Sequence, residues 1–554
     1  MKNGSRLVIL LLVVSLVLGV VGCAPEKKPV ETGGETPPQD EMASIIHFGR
    51  DWPTYYDPGV GSSYTCQVSH ANIYDPLVFP NIDGTVDPHV ATSWEATEDG
   101  LTYTFKIRQD IKFHSGNLLK ASDVAFSMNR LLTIGEGFSH LYTGVVEECY
   151  ATDDETVVMK LASTFGPFAS TLTRFFILEE SAVREHIDTS VDTYGEWGDY
   201  GKKWLLVNDA GSGPYKTKEF KLEEYLLGEQ FTDYFLGFEE NAPKYFKLSN
   251  LNDPVAQRTA FANKELEISG DNLPQETYAE LERMGGVPVR KSSSGGWNMF
   301  LNTKIAPTDD VYFRKALAHA FDYGTLRTSI IPGAAGATGP VSSVLFGKNH
   351  DLPGYDFDLE KARDMLSKSK YADDPSKWVV SMAWCAEVPE QEKISLMFQA
   401  DLQELGITLE ITKTPFSVMT ANAQTIETTP NASIVQWSPS FFEAGDVFKS
   451  RYHSESTGGW EQMEWLLDDK LDAMIDDALT TLDSDERERK YQEIEAYIYE
   501  LSPTIWMCRN DPRYAVQPYI EWPILTYYKE GTNALLPGGF DLYFRDCKVF
   551  VDKK

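Results

Sequence analysis

Thiol pairs are missing from this 554-residue chain: its six cysteines include no C-x-x-C spacing, which excludes the common zinc-knuckle and dithiol redox motifs. The nine histidines are scattered, without the short pairs that metal sites favour, so no metal is expected. No G-x-x-x-x-G-K-[ST], H-E-x-x-H, G-x-S-x-G or G-x-G-x-x-G occurs. That argues against phosphate-loop, zinc-protease, serine-hydrolase and dinucleotide-binding chemistry, and no cofactor is expected. Positive charge is also scarce. Against 83 Asp and Glu stand 50 Lys and Arg, a net charge of −33, and this disfavours nucleic acid or an anionic membrane face as a partner. Long apolar runs are confined to one place, Leu7–Val21, which is shorter than the roughly 20 residues of a membrane-spanning helix.

That run follows Lys2 and Arg6 and ends at Val20-Val21-Gly22-Cys23. The arrangement resembles a lipoprotein signal peptide (1–22) with its lipobox, although the consensus prefers Leu where Val20 stands. Cys23 is then the lipidated residue and the new N-terminus. Residues 23–43 contain "APEKKPVETGGETPPQDEM", which has four prolines, two glycines and no aromatic, and reads as a disordered tether. Its r.m.s. reach is roughly 25 Å. The expected location is the cell envelope outside the cytoplasm, in a periplasm or on a cell surface. The five remaining cysteines leave room for one or two disulfides, with no pairing legible.

The rest of the chain is rich in core-forming residues, with 29 Phe, 27 Tyr and 12 Trp. "LTYTFKIR" (Leu101–Arg108) alternates as a half-buried strand with Leu101, Tyr103, Phe105 and Ile107 inward. In "KASDVAFSMNRLL", Ser122 or Asp123 is placed to cap a helix that turns Val124, Met128 and Leu131 inward. Thr308–Leu326 predicts a helix with Val311, Leu317, Ala320 and Phe321 on one face. Ile394, Met397, Phe398, Leu402 and Leu405 form a helical stripe that ends at Gly406, and Ile407, Leu409 and Ile411 alternate as a strand. "DERERKYQEIEAYIYEL" predicts a further long helix, and "DSDERERKYQEIE" reads as its solvated start and not as a calcium loop. "GSGPY" (Gly211–Tyr215) reads as a turn. Strands and helices alternate without a repeat, so the class is α/β in several lobes.

Residues Asp87–Leu131, "DPHVATSWEATEDGLTYTFKIRQDIKFHSGNLLKASDVAFSMNRL", resemble the signature segment of the family 5 extracellular solute-binding proteins. These are the dipeptide-, oligopeptide- and nickel-binding lipoproteins of ABC importers. "FRKALAHAFD", "YDFDLEKARDML", "QADLQELGI" and "DERERKYQEIEAYIYELSPTIWM" extend the likeness over nearly all of residues 45–525, with Leu118-Leu119-Lys120 a local departure. The resemblance implies a periplasmic-binding-protein-like α/β fold of two hinged lobes closing over a ligand. Lobe I takes 44–85, 206–296 and 513–554, with an inserted subdomain at 86–205, and lobe II takes 297–512. It implies a monomer that hands a small solute, a peptide first of all, to the transmembrane subunits of an ABC permease, with no catalysis. An oligosaccharide is the alternative ligand. A surface hydrolase is the alternative from another class, and a sensor or adhesin using the same cleft is a third reading.

Peptide-binding relatives carry a cleft tryptophan and, three residues later, an aspartate for the peptide's α-amino group. In "NASIVQWSPSFFEAGDVF" Trp437 matches the tryptophan, but the acidic position is Ser440. A closed cleft needs a partner for a buried ammonium, so Glu443 and Asp446 are candidate substitutes. A second cleft stretch, "AWCAEVPE", offers Trp384, Cys385 and Glu387. Tyr64 and Cys66, after the "YYDPG" turn, and Trp297, before a strand leading to the hinge, complete the expected lining.

Overall fold

Among the described residues, strands gathered from separate stretches of the chain build three main sheets, beside three two-stranded pairs. The computed structural model describes residues 43–554 except Asn272, Asn510 and Asn533; the expected signal peptide, the expected lipidation site Cys23 and the expected tether up to residue 42 lie outside the described residues. In the first lobe Ile45–Arg50 runs parallel to Tyr245–Asn250, followed by antiparallel Tyr225–Gln230 and Tyr215–Lys221. Phe48 bridges Ile268, which bridges Val516, and so brings the pair Val287–Arg290 and Arg513–Val516 onto the same sheet. Ile45, Ile46 and Phe48 are all buried, because this strand is covered on both faces.

The second lobe is a five-stranded mixed sheet in the order Thr408–Thr414, Val379–Cys385, Ala432–Trp437, Gly296–Leu301, Thr504–Arg509. Helices Val311–His319 and Glu390–Gln403 bury Phe313, Leu317, Ile394, Phe398 and Leu402 against it. Gly406 ends the second helix region at φ +77°, a conformation that costs glycine little. The long helix is Ser484–Leu501, capped by Asp483, which accepts the Glu486 N–H at 2.8 Å.

The insertion is a four-stranded antiparallel sheet, Ala91–Ala96, Thr102–Ile107, Thr156–Leu161 and Val146–Asp153, crossed by helix Ala121–Ile134. Tyr103, Phe105 and Ile107 face its core, as the alternation requires. The helix starts two to three residues before the expected cap: Lys120 is the boundary, and Asp123 reaches back to accept its N–H at 2.8 Å. Val311 opens its helix only half-buried. In "GSGPY", Gly211 lies against the Ile73 carbonyl, where a Cβ would come within 2.0 Å, so the segment is a close backbone crossing. Cys66, Cys149, Cys385, Cys508 and Cys547 are free buried thiols, so no disulfide forms among the described residues. No helix among the described residues is long and apolar enough to cross a membrane.

The chain passes between the two lobe sheets twice, after Arg290 and after Arg509. The crossings lie side by side: the Lys291 N–H donates to Pro512 O at 3.1 Å, and the Ser293 N–H to Asp511 Oδ1 at 3.0 Å. Arg509 grips Asp511 through two bonds of 2.6 and 2.8 Å. Paired short crossings of this kind give a hinge.

Candidate functional site

Strand Ala432–Trp437 ends beside the crossings, with Trp437 opposite Gly296. There a hollow opens, about 510 Å³ counting the solvent at its mouth, walled by Trp437, Gly295, Gly296, Asn298, the loop 336–343 and Arg509. The wall is backbone-rich: a Cβ on Gly295 would meet the Ser438 hydroxyl at 2.0 Å, so only glycine brings this crossing against the tryptophan strand. Trp437 is 6% exposed and is one of the residues that line the hollow. Its indole Nε1–H donates to Glu461 Oε1 at 3.1 Å, and the Arg451 guanidinium, tied to Glu464 at 2.6 Å, lies 5.7 Å from its ring centroid. Glu461 is half-buried.

The other expected lining residues divide by their partners. Glu443 is buried and takes a bidentate bond from Arg487 at 2.9 and 3.1 Å, with the Tyr491 hydroxyl at 3.2 Å, so its charge is spent within the lobe. Asp446, in the first turn of helix Ala444–Tyr452, accepts the Ser440 N–H. Loss of solvent raises its pKa to about 7, with Glu461 repelling and the Ser440 and Phe441 N–H groups and Arg174 attracting the charged form. Ser440 itself faces the inserted subdomain, its carbonyl accepting from Arg174 Nε at 3.4 Å.

Of the expected lining residues only Trp437 borders the hollow; Ser440, Glu443 and Asp446 do not, and neither do Trp297, Trp384, Glu387, Tyr64 and Cys66. Trp297 is packed in the second lobe's core: on Gly296–Leu301, Gly296 and Asn298 face the hollow and the residue between them faces away. Trp384 is 3% exposed in the same core, beneath Lys413. Glu387 is exposed at the strand's end, where it accepts the Cys385 thiol at 3.0 Å and the Phe416 N–H at 3.1 Å, bonds that lower its pKa. Tyr64 stands in the first lobe, half-buried, donating to Asp541 Oδ2 at 2.6 Å; burial raises its phenol pKa well above the usual value. Asp541 also takes the Lys291 ammonium at 2.8 Å, so Tyr64 braces the first crossing. Cys66 is buried on the same helix, with its thiol pKa raised by burial.

Sequence reasoning passed over Glu461, Asn298 and the loop 336–343. The run "GAAGATGP" (Gly333–Pro340) was the available signal, since such a stretch lets a backbone lie against a ligand. Glu461 gave none, because only folding brings it to the indole.

A match to the family described as bacterial extracellular solute-binding proteins, family 5, spans residues 85–459, more than half of the chain. The chain belongs to this family: it is an extracytoplasmic solute-binding component of an ABC importer and not an enzyme. It is similar to the probable D,D-dipeptide-binding periplasmic protein DdpA of Escherichia coli, 23% identical over 527 residues, covering 93% of this chain and 95% of that protein. It is also similar to the heme-binding protein A of Haemophilus influenzae, 24% identical over 472 residues, covering 80% and 82%. The solved structure of the ABC transporter substrate-binding protein CtaP from Listeria monocytogenes superposes with a TM-score of 0.77 at 21% identity, covering 91% of this chain and 99% of that one, which establishes the shared two-lobed fold.

Proposed function

We propose that this protein is a lipid-anchored receptor that captures peptides, or closely related small polar solutes, at the hollow beside its hinge and delivers them to an ABC permease. Cys23 carries the anchor, residues 24–42 give it reach, and the receptor works as a monomer. Lobe I is 44–85, 206–296 and 513–554, the insertion 86–205, and lobe II 297–512. The observation that carries the reading is Trp437, its indole N–H held by Glu461, at the wall of a hollow to which glycine and serine contribute half of the lining residues. An indole face with a carboxylate beside it suits an ammonium-bearing chain, and exposed peptide groups suit another peptide's N–H and C=O. The name of one relative specifies a D,D-dipeptide and that of another heme; this wall of Gly, Ser, Thr and Asn suits the amide ligand and not a broad apolar macrocycle.

Ser440 is neutral, Glu443 is held by Arg487 and Asp446 by the Ser440 amide. Glu461 therefore supplies the negative pole in this reading. Micromolar affinity corresponds to about −8 kcal/mol, within reach of one buried aromatic and one or two charge-assisted bonds after the cost of closure. Ligand contact with both lobes favours the shut state, and no covalent step is involved.

Native mass spectrometry after mixing the protein with pools of short peptides and of oligosaccharides tests this. Peptides are expected to be retained and to raise the melting temperature. Retention of sugars alone would overturn the peptide assignment, and retention of nothing would overturn the receptor reading.

A further inference from the structure

The hinge is not the second lobe's only connection to the rest of the molecule, because the inserted sheet also touches it directly. Phe441, on the loop that follows Trp437, is 6% exposed and sits in the hydrophobic core of the insertion, with its ring edge-on to Phe165 at 6.0 Å between centroids. Beside it Arg174, 6% exposed, joins three segments: Nη1 donates to Gln67 Oε1 and Gly538 O of the first lobe at 2.9 Å each, and Nε to Ser440 O of the second at 3.4 Å. The Ser440 peptide is drawn from both sides, its N–H to Asp446 and its carbonyl to Arg174. A second contact lies further along the same seam: the Gly166 N–H donates to Leu479 O at 2.8 Å, and Leu482 packs against Gly100. None of these residues lines the hollow.

We propose that the insertion is a clasp on the closed receptor, with Phe441 as its plug and Arg174 as the tie between insertion, first lobe and solute loop. Burying a phenylalanine in another unit's core is a large apolar gain for one side chain, and it is lost when the lobes part. Because Phe441 and Trp437 share one short loop, seating the plug holds the solute-facing tryptophan in place. The clasp therefore slows release of every solute alike and does not choose among them. This consequence for release rests on the receptor reading above; the clasp itself does not.

Hydrogen exchange on the full soluble chain tests the clasp without any solute. The Gly166 amide, bonded across the seam, reports on it; Leu161 N–H to Leu101 O within the insertion and Leu301 N–H to Pro503 O within the second lobe report on folding, at 2.8 and 2.9 Å. In Phe441→Ala and in Leu482→Ala, an exposed and hence gentler change, Gly166 is expected to exchange about tenfold faster with the two reference amides unmoved. Phe441→Leu is expected to restore most of the protection. Unchanged Gly166 exchange in both alanine variants would overturn the proposal; if Phe441→Ala fails to fold, Leu482→Ala alone decides it. A pool of tri- to pentapeptides then separates the two readings. Faster release of all bound peptides in a variant supports the clasp's role, release at the wild-type rate contradicts that role, and binding to neither protein contradicts the receptor reading while leaving the exchange result standing.

Discussion

Glu461 and Asp446 lie near each other on the second lobe, and their surroundings separate them. Glu461 has the Trp437 indole as its donor and keeps a face toward solvent. Glu461→Gln is expected to weaken binding of free-amine peptides about tenfold while leaving their N-acetylated counterparts unchanged, and Trp437→Ala to weaken both by about tenfold or more without unfolding the chain. Isothermal titration checks both; equal losses for the two peptide types in Glu461→Gln would remove the carboxylate from the amine's partner list. Asp446 behaves differently, because its folded pKa is about 7 against 3.8 for the free side chain. Between those values the folded protein holds a proton that the unfolded chain releases, so this group's contribution to stability is greatest at the acidic end of that window and falls as pH rises through it. Asp446→Asn removes that term. Urea melts are expected to show the variant gaining on the wild type between pH 5 and pH 8, and a constant difference would contradict the pKa assignment.

Helix Glu390–Gln403 shows what the sequence reveals at the scale of an element. Ile394, Phe398 and Leu402 are fully buried on one face, and Leu402→Ala is expected to cost roughly 2–5 kcal/mol in a urea melt. A cost below about 1 kcal/mol would show that the face is not packed as described. Such amphipathic helices, and alternating strands such as Thr102–Ile107, were legible because burial imposes a period on neighbouring residues. The site was less legible for the converse reason. Its wall joins Gly296, the 336–343 loop, Trp437 and Arg509, which share no period and meet only through sheet order. Trp297 shows the limit most clearly. Its residue type suggested a wall, yet strand alternation gives the wall to Gly296 and Asn298 and buries the tryptophan. Glu443 shows another: its spacing from Trp437 was readable, but its capture by Arg487, 44 residues away, was not.

At the scale of the whole molecule, two sheets joined by paired crossings leave one degree of freedom that matters, the angle between the lobes. Lys291 on the first crossing is held by Asp541, and Arg509 on the second by Asp511, so a charged pair anchors each crossing. The acidic surface, at −33 overall, keeps such a body soluble without steering it to nucleic acid. Small-angle scattering of the soluble chain, with and without the peptide pool, tests the central claim most directly. A smaller radius of gyration and a narrower distance distribution are expected once peptide is bound. An identical curve in the presence of peptides shown to be bound would contradict closure of the two lobes around a solute.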